Sequence, residues 1–268
     1  MDLSDSPPLR ALYRRFPSLQ PVLREINGLL SRRPLPTFTG WQMTTYHQIP
    51  WVDGWDAFKS AAEEVRSFER SHDGAGQTVD ALLWRHWNIA WSVNLVTTRQ
   101  PSRRFVGVEC GVGDGLTAHF AASQALDDHG EAVELHLYDA WTGMRDGLLT
   151  ESESEMSGAY STLSMERTRH NLSRFADHLD WHPGHLPQTL DTDAPTEVSW
   201  LHIDLNSAAA TTEVLKFFWP RLADEAVIVF DDYGWTYFDD TRLAINEFLD
   251  DRQGALLPLP TGQAFYFC

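Results

Sequence analysis

Phe105-Val-Gly-Val-Glu-Cys-Gly-Val-Gly-Asp-Gly115 is the stretch that decides the fold. Phe105 to Val108 is a short apolar run of strand length, and the glycines at 111, 113 and 115 open a helix from Leu116 to Leu126. Without side chains the backbone can turn tightly there and come close to a bound nucleotide. Outward from this turn, strands and helices alternate. Val133–Tyr138, Leu179–His182, Val198–Ile203 and Ala226–Phe230 read as strands, with helices over Met165–Phe175, Ala210–Leu222 and Thr241–Leu249. Leu256–Leu259 and Ala264–Phe267 close the chain as two strands, antiparallel across Pro260-Thr-Gly-Gln263. Such alternation implies a mostly parallel sheet covered on both faces, a doubly wound α/β domain. Ligands bind such sheets outside the carboxyl ends of the strands, where the glycine turn lies.

Two cofactors compete for the turn. Gly113-Asp-Gly-Leu-Thr-Ala118 fits a loose dinucleotide fingerprint, so an NAD-dependent oxidoreductase is one reading. Glu109 speaks against it, because it puts an anion where a pyrophosphate would approach. A carboxylate there suits a cofactor without phosphates and with a positively charged end. Asp139, at the end of the second strand, can accept both ribose hydroxyls; NAD enzymes share that feature.

Glu109-x-Gly111-x-Gly113-x-Gly115 followed by Asp139 resembles the class I S-adenosylmethionine methyltransferases, and among them the macrocin-type O-methyltransferases of antibiotic sugars. Their pattern is echoed in Leu137-Tyr-Asp-Ala-Trp-Thr-Gly-Met144, His202-Ile-Asp-Leu-Asn206, Trp219-Pro-Arg-Leu222 and Val227-Ile-Val-Phe-Asp-Asp-Tyr-Gly234. The resemblance spans about Arg104 to Leu249. It implies a Rossmann-like, seven-stranded sheet with an antiparallel C-terminal strand, and a methyltransferase domain over 101–268 behind a helical N-terminal segment at 1–100. It implies S-adenosylmethionine as cofactor, held by Glu109, Gly111, Gly113, Gly115 and Asp139. Gly184 and His185, after the third strand, fall where such enzymes contact adenine.

Asp204 ends the fourth strand and Asp231-Asp232 the fifth. In the class I sheet these strands are neighbours, about 4.8 Å apart, and by resemblance the three acids fall on the family's metal-binding aspartates. Acids that close must share a proton or bind a cation, and all-oxygen ligands favour a hard ion such as Mg²⁺. A cation on the acceptor oxygen would lower its pKa for attack on the methyl group, with a base to take the proton. Asp204 is the expected base as well as a ligand. His202 is a further catalytic candidate, although its side chain is expected to turn to the other face of the strand. Alternatively, Asp204 caps the next helix and Asp231-Asp232 form a polar turn. The chain departs from the family pattern at Asn206, where an Asp is usual, at Ala208, where a Tyr is usual, and at Ala223-Asp-Glu-Ala226, which lacks a Pro-Gly-Gly turn.

Before residue 100, amphipathic helices are expected over Pro21–Leu30, Trp55–His72 and Thr78–Val96. Trp41, Trp51, Trp55, Trp84, Trp87 and Trp91 there either pack a helical layer or line an acceptor pocket. Arg145 to Tyr160 is a candidate lid, and Gln263 could reach the acceptor. A net charge of −17 argues against nucleic acid and anionic membranes as partners. Two cysteines give no disulfide framework, and neither a signal peptide nor a run of about 20 apolar residues is present, so a cytoplasmic enzyme is expected. The overall reading is a metal-assisted O-methyltransferase of a sugar or small natural product, possible as a homo-oligomer through its aromatic N-terminal segment. The same residues also admit a metal-independent N- or O-methyltransferase of a small molecule, or a non-catalytic cofactor-binding protein.

Overall fold

The computed structural model describes residues 55–71, 79–190, 193–235 and 238–268. The expected helix at Pro21–Leu30, together with Trp41 and Trp51, lies outside them. Within the compact unit Pro50–Cys268, β1 (Phe105–Cys110), β2 (Val133–Asp139), β3 (Leu179–Pro183), β4 (Val198–Ile203), β5 (Leu222–Phe230), β6 (Ala255–Pro258) and β7 (Ala264–Phe267) form one sheet in the order β3-β2-β1-β4-β5-β7-β6. β1 to β5 run parallel; β7 is antiparallel to β5, and β6 to β7. This is the expected Rossmann-like methyltransferase architecture. Every residue of β4 is buried, as a central strand covered on both faces must be.

The chain order reverses across β1 and β4, and the crevice at that switch point opens beside the glycine turn. Helices α1 (Trp55–Val65) and α2 (Val79–Arg99) pack on α3 (Leu116–His129), which follows the turn. Phe58 meets Phe120 and Trp87 at 5.1 Å, and Trp200 of β4 donates to Ser92 of α2 at 2.8 Å. Trp91 stacks on Phe265. Trp84, Trp87 and Trp91 stand away from the cavity wall, and among the described residues the tryptophan that lines it is Trp235.

Three local expectations are corrected. Ala223-Asp-Glu-Ala226 is no turn: β5 begins at Leu222 and absorbs these residues as a register shift against β4, with Glu225 at φ 63°. The helix expected to run through Phe175 is α4 (Met165–Asn171), continued as a 3₁₀ segment over Ser173–His178. Helix α5 (Ala208–Phe218) takes its cap from Ser207, whose Oγ accepts from the Ala210 amide. Asp204 is therefore not the cap of that helix. Helix α6 (Asp239–Leu249) completes the layer against α5. Among the described residues no helix is long and apolar enough to cross a membrane.

Candidate active site

The strand ends, the glycine turn and α2 enclose a cavity of about 620 Å³. Glu109, Gly111, Gly113, Asp139, Gly184, His185, Asp204, Asp231 and Asp232 all line it. Two predicted residues do not. Gly115, at φ 89°, starts α3, and a Cβ there would press on Leu172 at 3.0 Å, so its role is in turn and packing. His202 is wholly buried; it stacks on Trp200 two residues before it, with Nε2 3.6 Å from Asp231 Oδ1. The expectation that it turns away from the acids is corrected, because residues two apart on a strand share a face. Burial and the nearby Arg85 hold its pKa down to about 3, so the ring is neutral and sits behind Asp231.

The turn is built around Asp139. Its Oδ2 accepts from the amides of Val112 and Gly113 at 2.7 and 2.9 Å, and Oδ1 from Trp141 at 2.6 Å. Gly111 is required sterically. At φ 90°, a Cβ would stand 1.8 Å from the carbonyl oxygen of Asp204, whose own amide donates to Cys110 at 2.8 Å. The close approach of β1 to β4 that seats Asp204 beside the turn thus needs glycine. Gly113 has open space where its Cβ would be.

Glu109 is the clearest ligand signal. It is fully buried, and neither carboxylate oxygen has a hydrogen-bond partner among the described residues. Burial, with Asp204 and Asp139 adding negative charge, pushes its pKa well up. A buried carboxylate without partners is costly, and a cationic ligand group in the cavity would satisfy it. Glu109→Gln is therefore expected to stabilise the ligand-free protein at high pH. The folded pKa lies above the unfolded one, so the penalty is absent at low pH and grows as pH rises past the usual carboxylate range. Thermal unfolding should show mutant and wild type alike near pH 5, and the mutant more stable at pH 8. Calorimetry with S-adenosylhomocysteine should show affinity reduced about tenfold or more, the worth of a charged hydrogen bond.

The three aspartates converge as expected. Oxygens of Asp204, Asp231 and Asp232 lie within 4.8 Å of one another. Asp232 accepts from the Asn206 amide at 3.2 Å, and Asn206 Nδ2 donates to Asp204 at 3.1 Å. Burial raises the pKa of both Asp204 and Asp232, further for Asp232, which hydrogen-bonds Asp204 and feels its charge. Asp231 is held differently. Arg85 of α2 pairs with its carboxylate and also reaches its carbonyl oxygen at 3.3 Å. Gln263 donates to Asp231 Oδ1 at 2.8 Å, and Asn88 donates to Gln263 at 2.9 Å. Gln263 lines the cavity, but its amide is spent on positioning Asp231.

Arg145 to Tyr160 is tethered to the body. The buried Glu153 accepts from the Ala208 amide at 2.8 Å and from Thr241 at 3.1 Å, and Thr150 donates to Asp240 at 2.7 Å. Leu148, Met156 and Tyr160 of this segment complete the cavity wall. His185 lies beside Gly184, its pKa lowered by partial burial and by Arg145.

Residues 108–233 match a family model described as a methyltransferase domain. The chain is similar in structure to the O-methyltransferase NovP, with 17% identity over 79% of this chain and 96% of that one and a TM-score of 0.63. It is similar to the calicheamicin methyltransferase CalS11, with 16% identity, 81% and 93% coverage and a TM-score of 0.56. A second structure of CalS11, described as a TDP-rhamnose 3'-O-methyltransferase, gives 15% identity, 85% and 99% coverage and a TM-score of 0.50. No curated protein sequence matches the chain. The methyltransferase-domain match over 108–233 and the shared fold make this chain similar to the class I S-adenosylmethionine-dependent methyltransferases and support an enzyme. Its fold resembles those of the O-methyltransferase NovP and the calicheamicin methyltransferase CalS11.

Proposed function

We propose that the protein is a divalent-metal-assisted O-methyltransferase acting on a hydroxyl of a sugar or other small natural product. The observation that carries this reading is the convergence of Asp204, Asp231 and Asp232 on the cavity wall. Three carboxylates bring three negative charges into a buried place, and Arg85 offsets one. The two that remain match one divalent cation, and a donor set of oxygens alone suits Mg²⁺. Asp204, Asp231 and Asp232 would hold the ion, with the Asn206 side chain beside them donating to Asp204. When bound, the ion lowers the pKa of the acceptor hydroxyl and fixes its position.

The chain's own groups supply the rest. S-adenosylmethionine carries the methyl group on a sulfonium; Glu109 faces the ammonium of its amino-acid end, which S-adenosylhomocysteine shares, Asp139 accepts from the ribose, and Gly184 and His185 border the adenine. Asp204 is the group placed to take the acceptor proton. Tyr160 and Trp235 wall the acceptor side. The sugar is drawn from the similar fold of CalS11, a TDP-rhamnose 3'-O-methyltransferase. We read α2 as part of the cover of the site, since it contributes Arg85 and His86 to the wall. The charge of −17 supports a small acceptor over nucleic acid, and a cytoplasmic enzyme is in keeping with both.

A metal-independent methyltransferase is the second reading, favoured by Arg85, which already gives Asp231 a cation. Arg85→Gln separates the two. With metal assistance, removing a competing cation should tighten Mn²⁺ about tenfold by calorimetry while lowering the thermal stability of the metal-free protein. Without it, neither form binds Mn²⁺ in the cavity. Binding of S-adenosylhomocysteine and not NAD in the same calorimeter tests the cofactor assignment.

A further inference from the structure

A second group of side chains able to bind a metal stands outside the cavity, on the two outer strands at the β3 edge of the sheet. Glu134 and His136 lie two apart on β2 and so share a face, and the parallel register sets His136 directly beside Asp180 and Tyr138 beside His182 on β3. His136 Nε2 is 2.7 Å from Glu134 Oε1 and 3.9 Å from Asp180 Oδ2. One ligand atom from each of the three lies within 4.8 Å of the other two. The second imidazole nitrogen of His136, Nδ1, is 3.0 Å from His182 Nε2. Arg104 engages the second Glu134 oxygen at 2.8 Å and leaves Oε1 toward His136.

We propose that Glu134, His136 and Asp180 form a second, transition-metal site for a zinc-like divalent ion, which would tie the edge strand β3 to β2. One imidazole and two carboxylates are a mixed N/O donor set, which suits zinc and its neighbours better than Mg²⁺. Tetrahedral coordination at about 2.0–2.2 Å separates ligands by about 3.3 Å, and the observed 2.7 and 3.9 Å bracket that spacing. Strand positions hold the donors, and the half-exposed Asp180 leaves an entry path. His182 fixes the tautomer: with Nδ1–H of His136 donating to His182 Nε2, the Nε2 lone pair is directed at the ion. In the metal-free protein Nε2–H of His136 donates to Glu134 and Nδ1 accepts from His182 Nε2–H. On binding, both rings change tautomer by proton exchange with solvent, with no net change in proton number, so that Nε2 of His136 is open to the ion and its Nδ1–H donates to His182 Nε2.

The test is a Co²⁺ titration of the tag-free full chain with Mg²⁺ in excess, read by the visible absorption of tetrahedral Co²⁺. Wild type should show the band at one equivalent. Asp180→Asn, at a half-exposed position the fold tolerates, and His136→Asn should each weaken binding at least tenfold, whereas Asp231→Asn should leave the band unchanged. A band that persists at wild-type affinity in Asp180→Asn overturns the assignment, as does absence of the band in wild type or its loss in Asp231→Asn. The result is independent of whether the cavity aspartates hold a metal.

Discussion

Asp204→Asn should abolish methyl transfer, by about 10³-fold or more, while leaving affinity for S-adenosylhomocysteine nearly intact. The side chain is placed for two tasks at once. It is one of three acids whose oxygens gather within 4.8 Å, and burial raises its pKa toward that of a useful base. An amide keeps the shape and the hydrogen bond from Asn206 but loses both the charge and the proton affinity. Loss of a positioned base alone costs about 10²–10⁴-fold, and a weakened metal adds to it. The proposed cofactor contacts lie elsewhere, at Glu109, Asp139 and the turn, so binding should persist. Steady-state rates beside calorimetry check this, and equal turnover in the mutant removes Asp204 from the mechanism.

Gly111→Ala should be nearly as severe for a different reason. The new methyl would stand 1.8 Å from the Asp204 carbonyl, at a backbone φ of 90° that L-residues resist. Strain and overlap together cost about 3 kcal/mol or more. Either β1 and β4 separate or the turn reshapes, and both disrupt the cavity. Thermal unfolding should drop by many degrees and S-adenosylhomocysteine binding should vanish. Gly113→Ala is the control: with open space around its Cβ position, it should fold with a loss of about 1–2 kcal/mol from its φ of 57° alone. Equal stability of the two variants would contradict the steric role given to Gly111.

The sheet was legible because its strands are short apolar runs ending in glycine or acid, and the same strand ends carry most of the site. Glu109 and Asp139 could be read from their strand-end positions, since a parallel sheet gathers its carboxyl ends, whereas the meeting of Asp204 with Asp231 and Asp232 came from the family resemblance, which made their strands neighbours. Arg85 could not. It pairs with a residue 146 positions away, and nothing in the pattern of α2 marks one arginine as the partner of a buried acid. Gln263 was visible as a turn residue, but its hydrogen bond to Asp231 depends on β7 pairing with β5. Glu153 lay in a segment without apolar periodicity, and its buried bond to the start of α5 is a tertiary fact. The bulge in β5 was missed for a related reason: polar residues at Asp224 and Glu225 look like a turn, and only strand pairing shows otherwise.

The measurement that bears most directly on metal-assisted O-methylation is turnover of the full chain after complete removal of divalent ions, followed by Mg²⁺ added back. The charge count at Asp204, Asp231, Asp232 and Arg85 predicts that methyl transfer falls at least 100-fold on chelation and returns with Mg²⁺ at a saturable, single-site dependence. Unchanged turnover in the metal-free protein would contradict it and leave Arg85 as the only cation the site requires.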